Sequence, residues 1–169
     1  MKLFYGQIFP EVQIHEEEQQ HIMKVLRMRD GEGICLTDGL GNLACGRLVI
    51  EGKKASMTVD ELKENLPGPQ PRLHIAIAPT KNMDRIEFFV EKATELTVAE
   101  ITFILAEKSE RRQINLERIK KQSIAASKQS LRTHFPIINE LVKLQEFIAT
   151  ADSSKTFLAH CDSRFERQT

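Results

Sequence analysis

Asn65-Leu-Pro-Gly-Pro-Gln-Pro71 divides this sequence. Three prolines around one glycine oppose both a helix and a central strand, because proline has no backbone donor and glycine favours no single conformation. The segment predicts a linker. Glycine usage changes across it: all eight glycines lie between Gly6 and Gly68, and residues 69 to 169 contain none. The chain is therefore read as two domains, residues 1–68 and residues 73–169.

Upstream of the linker, short strand-like runs alternate with tight turns. Ile34 to Thr37 ends in Asp38-Gly39, with Gly41 close behind. Leu43 to Ile50 is followed by Glu51-Gly52-Lys53-Lys54, and Ala55 to Leu62 closes the set. These are hairpin signals. One amphipathic helix is expected from Glu16 to Met28, with Ile22, Val25 and Leu26 on one face at i, i+3 and i+4. Such elements predict a small barrel.

Downstream, strands and helices alternate. Leu73 to Ala78 and Ile101 to Leu105 are buried-type strands. Asp84 to Leu96 is a helix with Ile86, Phe89, Val90, Ala93 and Leu96 along one face. Asn115 caps a second helix running to Leu131, with Glu117 in its first turn. Pro136 to Ile138 begins a short strand, Leu144 to Ala149 is a short helix, and Thr156 to Ala159 is a fourth strand. This order predicts a parallel sheet with helices on its faces, and an α+β chain overall.

Composition excludes more than it selects. Lys+Arg and Asp+Glu both number 24, so net charge indicates no partner. Cys35, Cys45 and Cys161 show no zinc spacing, and no metal is expected. They are read as unpaired thiols of a cytoplasmic protein. No apolar run approaches the roughly 20 residues that cross a bilayer, so no membrane is expected. A glycine-free second domain cannot carry G-x-G-x-x-G or a P-loop, and H-E-x-x-H, G-x-S-x-G and EF-hand patterns are also missing. Kinase, dehydrogenase and serine hydrolase readings have no support.

A basic stretch stands out. From residue 108 to 132, Lys108, Arg111, Arg112, Arg118, Lys120, Lys121, Lys128 and Arg132 face only Glu110 and Glu117, a net of +6. It reads either as a surface that tracks RNA phosphates or as a solvated helix face. His21, Lys24, Arg27 and Arg29 form a smaller cluster on the first domain, with the same two readings. Ligands in open α/β sheets gather at the carboxyl ends of strands. Pro79, Thr80 and Lys81 would lie there after the first strand, and His160 and Asp162 after the fourth. Glu95 is either a functional carboxylate or the partner of a nearby cation. No residue is assigned a catalytic role.

The succession of segments resembles a known family. His21-Ile-Met-Lys-Val-Leu-Arg-Met-Arg29 with Asp38-Gly39 is similar to the N-terminal barrel of the ribosomal RNA small subunit methyltransferase E family. Lys81 to Phe88, Glu91-Lys-Ala-Thr-Glu-Leu96, Glu107-Lys-Ser109, Ala125 to Arg132, Pro136-Ile137 and Leu158-Ala-His160 continue the likeness in order. There are departures. Thr97 and Leu131 stand where the family usually has glycine, Lys108 where it has arginine, and Lys128 where it has glutamate.

The resemblance implies a PUA-like RNA-binding barrel followed by part of a knotted SPOUT α/β domain. It implies an S-adenosylmethionine-dependent enzyme of ribosome biogenesis that methylates N3 of a uridine in 16S rRNA, acting as a cytoplasmic homodimer on the small ribosomal subunit. RNA contacts are expected from His21, Lys24, Arg27, Arg29, Lys108, Arg111, Arg112, Lys120, Lys121, Lys128 and Arg132. Cofactor contacts are expected from Pro79, Thr80 and His160. The family's glycine-rich loop and Leu-Arg-x-Glu-Thr-Ala-like segment, which hold the cofactor, are not matched within these residues. The expectation is thus a chain cut before the cofactor knot and inactive alone. Two other readings stay open: a non-catalytic ribosomal RNA-binding module, and a dimerising scaffold that binds no nucleic acid.

Overall fold

A computed structural model describes residues 2–109 and 111–159. β1 (Leu3–Gln7), β2 (Gln13–Ile14), β3 (Gly33–Thr37), β4 (Leu43–Glu51) and β5 (Lys54–Lys63) form one sheet in the order β2-β1-β3-β4-β5. Phe4, Ile14, Ile22, Ile34, Leu36 and Leu48 fill its interior. The sheet curls until β2 returns to β5. Gln19 bridges that gap: its amide donates to the Ile14 carbonyl at 2.9 Å and accepts from the Ala55 N–H at 3.1 Å. Two edges that would otherwise expose unpaired backbone are joined by one side chain. β3, β4 and β5 match the hairpins expected from sequence.

The expected Glu16–Met28 helix is shorter and changes pitch. α1 (Glu16–Gln20) is followed by a π turn over His21–Val25, in which the Leu26 N–H reaches back five residues to His21. Wider winding takes residues at i+3 and i+4 off the buried face. Ile22 is fully buried, whereas Val25 and Leu26 are 66% and 41% exposed. Arg27 then turns the chain with φ at 49°.

The second sheet is parallel and ordered β6-β7-β8: β6 (His74–Ile77), β7 (Glu100–Leu105) and β8 (Ile137–Lys143). α2 (Met83–Glu95) and α3 (Leu116–Gln129) cover one face, burying Ile86, Val90, Ile101, Phe103 and Ile119. Asn82 and Asn115 cap these helices, accepting from the N–H groups of Asp84 and Arg118. α4 (Leu144–Thr150) lies on the other face, where Phe147 meets His74 edge-on. The fourth strand is corrected: residues 156–159 pair with no described strand, and Phe157 and Leu158 are over 80% exposed. An apolar run becomes a strand only where a partner supplies the ladder. Leu96 also leaves the core, because α2 ends at Glu95 and Leu96 is its C-cap, 77% exposed.

The thiol expectation is corrected too. Cys35 and Cys45 face each other across β3 and β4 and form a disulfide. Cross-strand neighbours bring their Cβ atoms close enough for a bond that spacing along the chain does not reveal. Thiol usage therefore carries no argument about compartment. Cys161 lies outside the described residues.

The linker is pinned. His134 hydrogen-bonds the Leu66 carbonyl at 2.6 Å and packs beside Gly68. Leu40 pairs with His134 as an antiparallel bridge, Gly41 N–H donates to Thr133, and Phe135 N–H donates to Gly39. Gly39 and Gly41, at φ of 74° and 99°, are required here. A Cβ on either would lie 2.6 Å from the Phe135 or His134 ring. The turn read as a hairpin loop is also where the two halves meet.

Candidate nucleic-acid interface

The basic stretch divides by what each cation touches. Lys121 pairs with Glu17 at 2.9 Å, and Lys128 with the buried Glu18. Both carboxylates belong to α1, so these lysines hold α3 against the barrel. The Lys121 ammonium beside Glu17 holds that carboxyl below the usual carboxylate range, and Glu17 raises Lys121 in turn. Arg132 donates to the Thr94 carbonyl at the end of α2, where a cation complements the helix dipole. Burial lowers its pKa. Arg118 binds Glu87 at 3.0 Å. Much of the apparent +6 is thus spent inside the protein.

Arg111 has a bracing role. Its Nε donates to the Thr80 carbonyl at 3.1 Å and its Nη2 to the Lys81 carbonyl at 2.5 Å. One guanidinium thereby ties the loop after β6 to the loop after β7, the strand ends where ligands gather. Ser109 tightens the second loop, accepting from the Ala106 N–H at 2.9 Å. Pro79 is buried and Thr80 exposed, its hydroxyl donating to the Asn82 carbonyl at 3.0 Å. His160, the third expected cofactor residue, lies outside the described residues.

The remaining basic residues have exposed side chains with no side-chain partner among the described residues. Lys108 and Arg112 stand on the loop after β7, and Lys120 on the outer face of α3. His21, Lys24, Arg27 and Arg29 stand on the π turn and the segment after it. These seven can meet phosphates without losing a contact. Glu95 takes the bland reading: Lys92 holds both its oxygens at 3.0 Å. Sequence reasoning missed Glu17 and Glu18, whose acidic run beside the basic helix was the available signal.

Comparison with known proteins now adds to this geometry. An RNA methyltransferase domain model matches residues 67–169, and an RNA methyltransferase PUA domain model matches residues 14–56. The chain belongs to the RNA methyltransferase family. Within the family it is 28% identical over 141 residues to ribosomal RNA small subunit methyltransferase E of Rickettsia conorii, matching 82% of this chain and 57% of that one. A probable rRNA-methyltransferase from Porphyromonas gingivalis shares 37% identity and superimposes with a TM-score of 0.81, over 90% of this chain and 65% of that one. The S-adenosyl methionine-bound methyltransferase E of Neisseria gonorrhoeae superimposes at 0.77 with 23% identity, a likeness of fold, over 90% and 67%. The chain thus spans about three-fifths of the curated relative's length. The curled sheet is the family's PUA-like unit, and the parallel sheet belongs to its SPOUT-type unit.

Proposed function

We propose that this protein contributes to an S-adenosylmethionine-dependent methylation of N3 of a uridine in 16S rRNA, working in the cytoplasm as a homodimer on the small ribosomal subunit. The observation that carries this reading is the match of an RNA methyltransferase domain and its PUA companion along one chain, in order. The seven basic residues without a side-chain partner among the described residues support it, since they lie on both units. Their role is to seat RNA by its phosphates, which positions the substrate without reading its sequence. We take residues 1–68 and 73–169 as the two functional units.

The chemistry sets two demands. N3 lies on the pairing edge of uracil, so the base must be unpaired or swung out. N3 must also lose its proton to attack a methyl group, which calls for a base or a stabiliser of the uridine anion. In this reading the described residues supply only part of the pocket for the methyl donor. Thr80 has its hydroxyl on Asn82 and its carbonyl on Arg111. No glycine after Gly68 offers close backbone approach. In this reading Pro79 and Thr80 form one wall, and residues 1–169 alone bind the donor weakly and do not turn over.

The test is transfer of label from S-adenosylmethionine to 16S rRNA in small subunits from cells lacking the gene, using the protein expressed from its complete gene. Label in 16S rRNA is expected. RNA binding without transfer would favour a non-catalytic docking module. Neither binding nor transfer would favour a scaffold.

A further inference from the structure

The barrel carries a groove that the loop cations do not share. It lies between the α1–π segment and the turn joining β4 to β5, with a volume of about 790 Å³. Met23 and Lys24 line one side and Gly52, Lys53 and Lys54 the other, with Glu16 at one end. Lys24, Lys53 and Lys54 are exposed, and none has an acidic partner among the described residues. This contrasts with Lys121 and Lys128 on α3, whose charges are taken up by α1.

Local backbone geometry singles out the same place. The wall bearing Lys24 is the π turn, a rare conformation that is frequent at functional sites. It leaves Val25 and Leu26 exposed and is followed by Arg27 in the left-handed region. A non-glycine residue there is strained, and such strain collects at binding sites. The opposite wall is a two-residue turn with Gly52 at φ of 62°, which lets two lysines follow directly. The result is an open channel with cations on both walls and the partly buried Met23 beside Lys24.

We propose that this groove binds a stretch of RNA backbone, with Lys53 and Lys54 contacting phosphates opposite Lys24. Positive grooves that track a backbone are how proteins hold single-stranded nucleic acid. The proposal rests on the RNA-directed reading above. It extends the barrel's contacts from the π turn to the opposite β4–β5 turn, so that the RNA backbone is gripped from two sides there as well as at the strand ends.

The experiment measures binding of the whole 169-residue chain to a 16S rRNA transcript across salt concentrations. Each phosphate contact to single-stranded RNA contributes about 0.7 to the slope of log affinity against log salt, so K53Q/K54Q should lower the slope by about 1.4 and weaken binding about 25-fold near 0.1 M salt. Both residues lie on an exposed turn, and an unchanged melting temperature confirms folding. Photocrosslinking of 4-thiouridine-substituted rRNA, read by mass spectrometry, should mark peptides containing residues 52 to 54. A K53Q/K54Q protein with wild-type slope and affinity, beside a K108Q/R112Q protein that loses both, would overturn the groove and leave the functional reading standing. A wild-type chain with no salt-dependent RNA affinity would overturn both.

Discussion

Replacing Thr97 with glycine should make the protein more stable. Thr97 follows the C-cap of α2 with φ at 66°, its N–H donating to Thr94 and the next N–H, from Val98, to Ala93. This is a Schellman ending, whose left-handed position glycine occupies most easily. A side chain in the left-handed region costs about 1–2 kcal/mol, more for a β-branched one. Glycine returns about 0.5–1 kcal/mol of that as extra freedom in the unfolded chain. Thr97 is exposed and its hydroxyl makes no hydrogen bond among the described residues, so little else is lost. The net gain is about 0.5–1 kcal/mol, or about 2–3 °C in melting temperature for a chain of this size. Leu131 ends α3 the same way, at φ of 55°, with Arg132 N–H on Ser127. Leu131 is only 48% exposed, however. Losing its buried half costs about 1 kcal/mol, so Leu131→Gly should come out near neutral. Differential scanning calorimetry of Thr97→Gly, Thr97→Ala and Leu131→Gly separates these terms. Alanine keeps the backbone penalty and should give no gain. A Thr97→Gly protein that melts at or below the wild type would refute the argument.

Three further outcomes follow from the contacts. Lys128→Ala strands the buried carboxylate of Glu18, one of whose oxygens already lacks a partner, and should cost about 3 kcal/mol in urea unfolding, while Glu18→Gln with Lys128→Met recovers most of it. Arg112→Gln should lower the salt slope of RNA binding by about 0.7, whereas Arg111→Gln should leave the slope nearly unchanged and instead raise amide exchange in residues 80 to 82, because its guanidinium donors are held by two carbonyls. The Glu17–Lys121 pair supports docking of α1 on α3 above the ordinary carboxylate range and loses that support as pH falls through the depressed Glu17 value. Fluorescence of a dye pair on the two units should report looser docking only in that acid window, and Glu17→Gln should abolish the change.

The sequence carried the regular elements well and the junctions poorly. Asn115, the 84–96 periodicity and the glycine turns named helices and hairpins because their signals are local. Thr97 and Leu131 were legible as departures from the family's glycines, and both turn out to occupy left-handed positions. The Cys35–Cys45 bond and the Gln19 bridge depend on strand register, which no local pattern contains. The π turn changed the helical period midway, so a pattern drawn at 3.6 residues put Val25 and Leu26 on the wrong face. Charge counting found a basic stretch but could not see that α1 answers two of its lysines and backbone carbonyls two of its arginines. Lys53 and Lys54 were read only as turn residues, because their opposite wall lies some thirty residues earlier in the sequence.

The proposed reaction places the methyl group on one ring nitrogen of one uridine class. Small and large subunits from cells lacking the gene, incubated separately with S-adenosylmethionine and the protein expressed from its complete gene, can be digested to nucleosides and read by liquid chromatography and mass spectrometry. The account predicts a new N3-methyluridine peak from 16S rRNA and none from 23S rRNA. Methyl groups on another base, on ribose or on 23S rRNA, or no new methyl group at all, would contradict it.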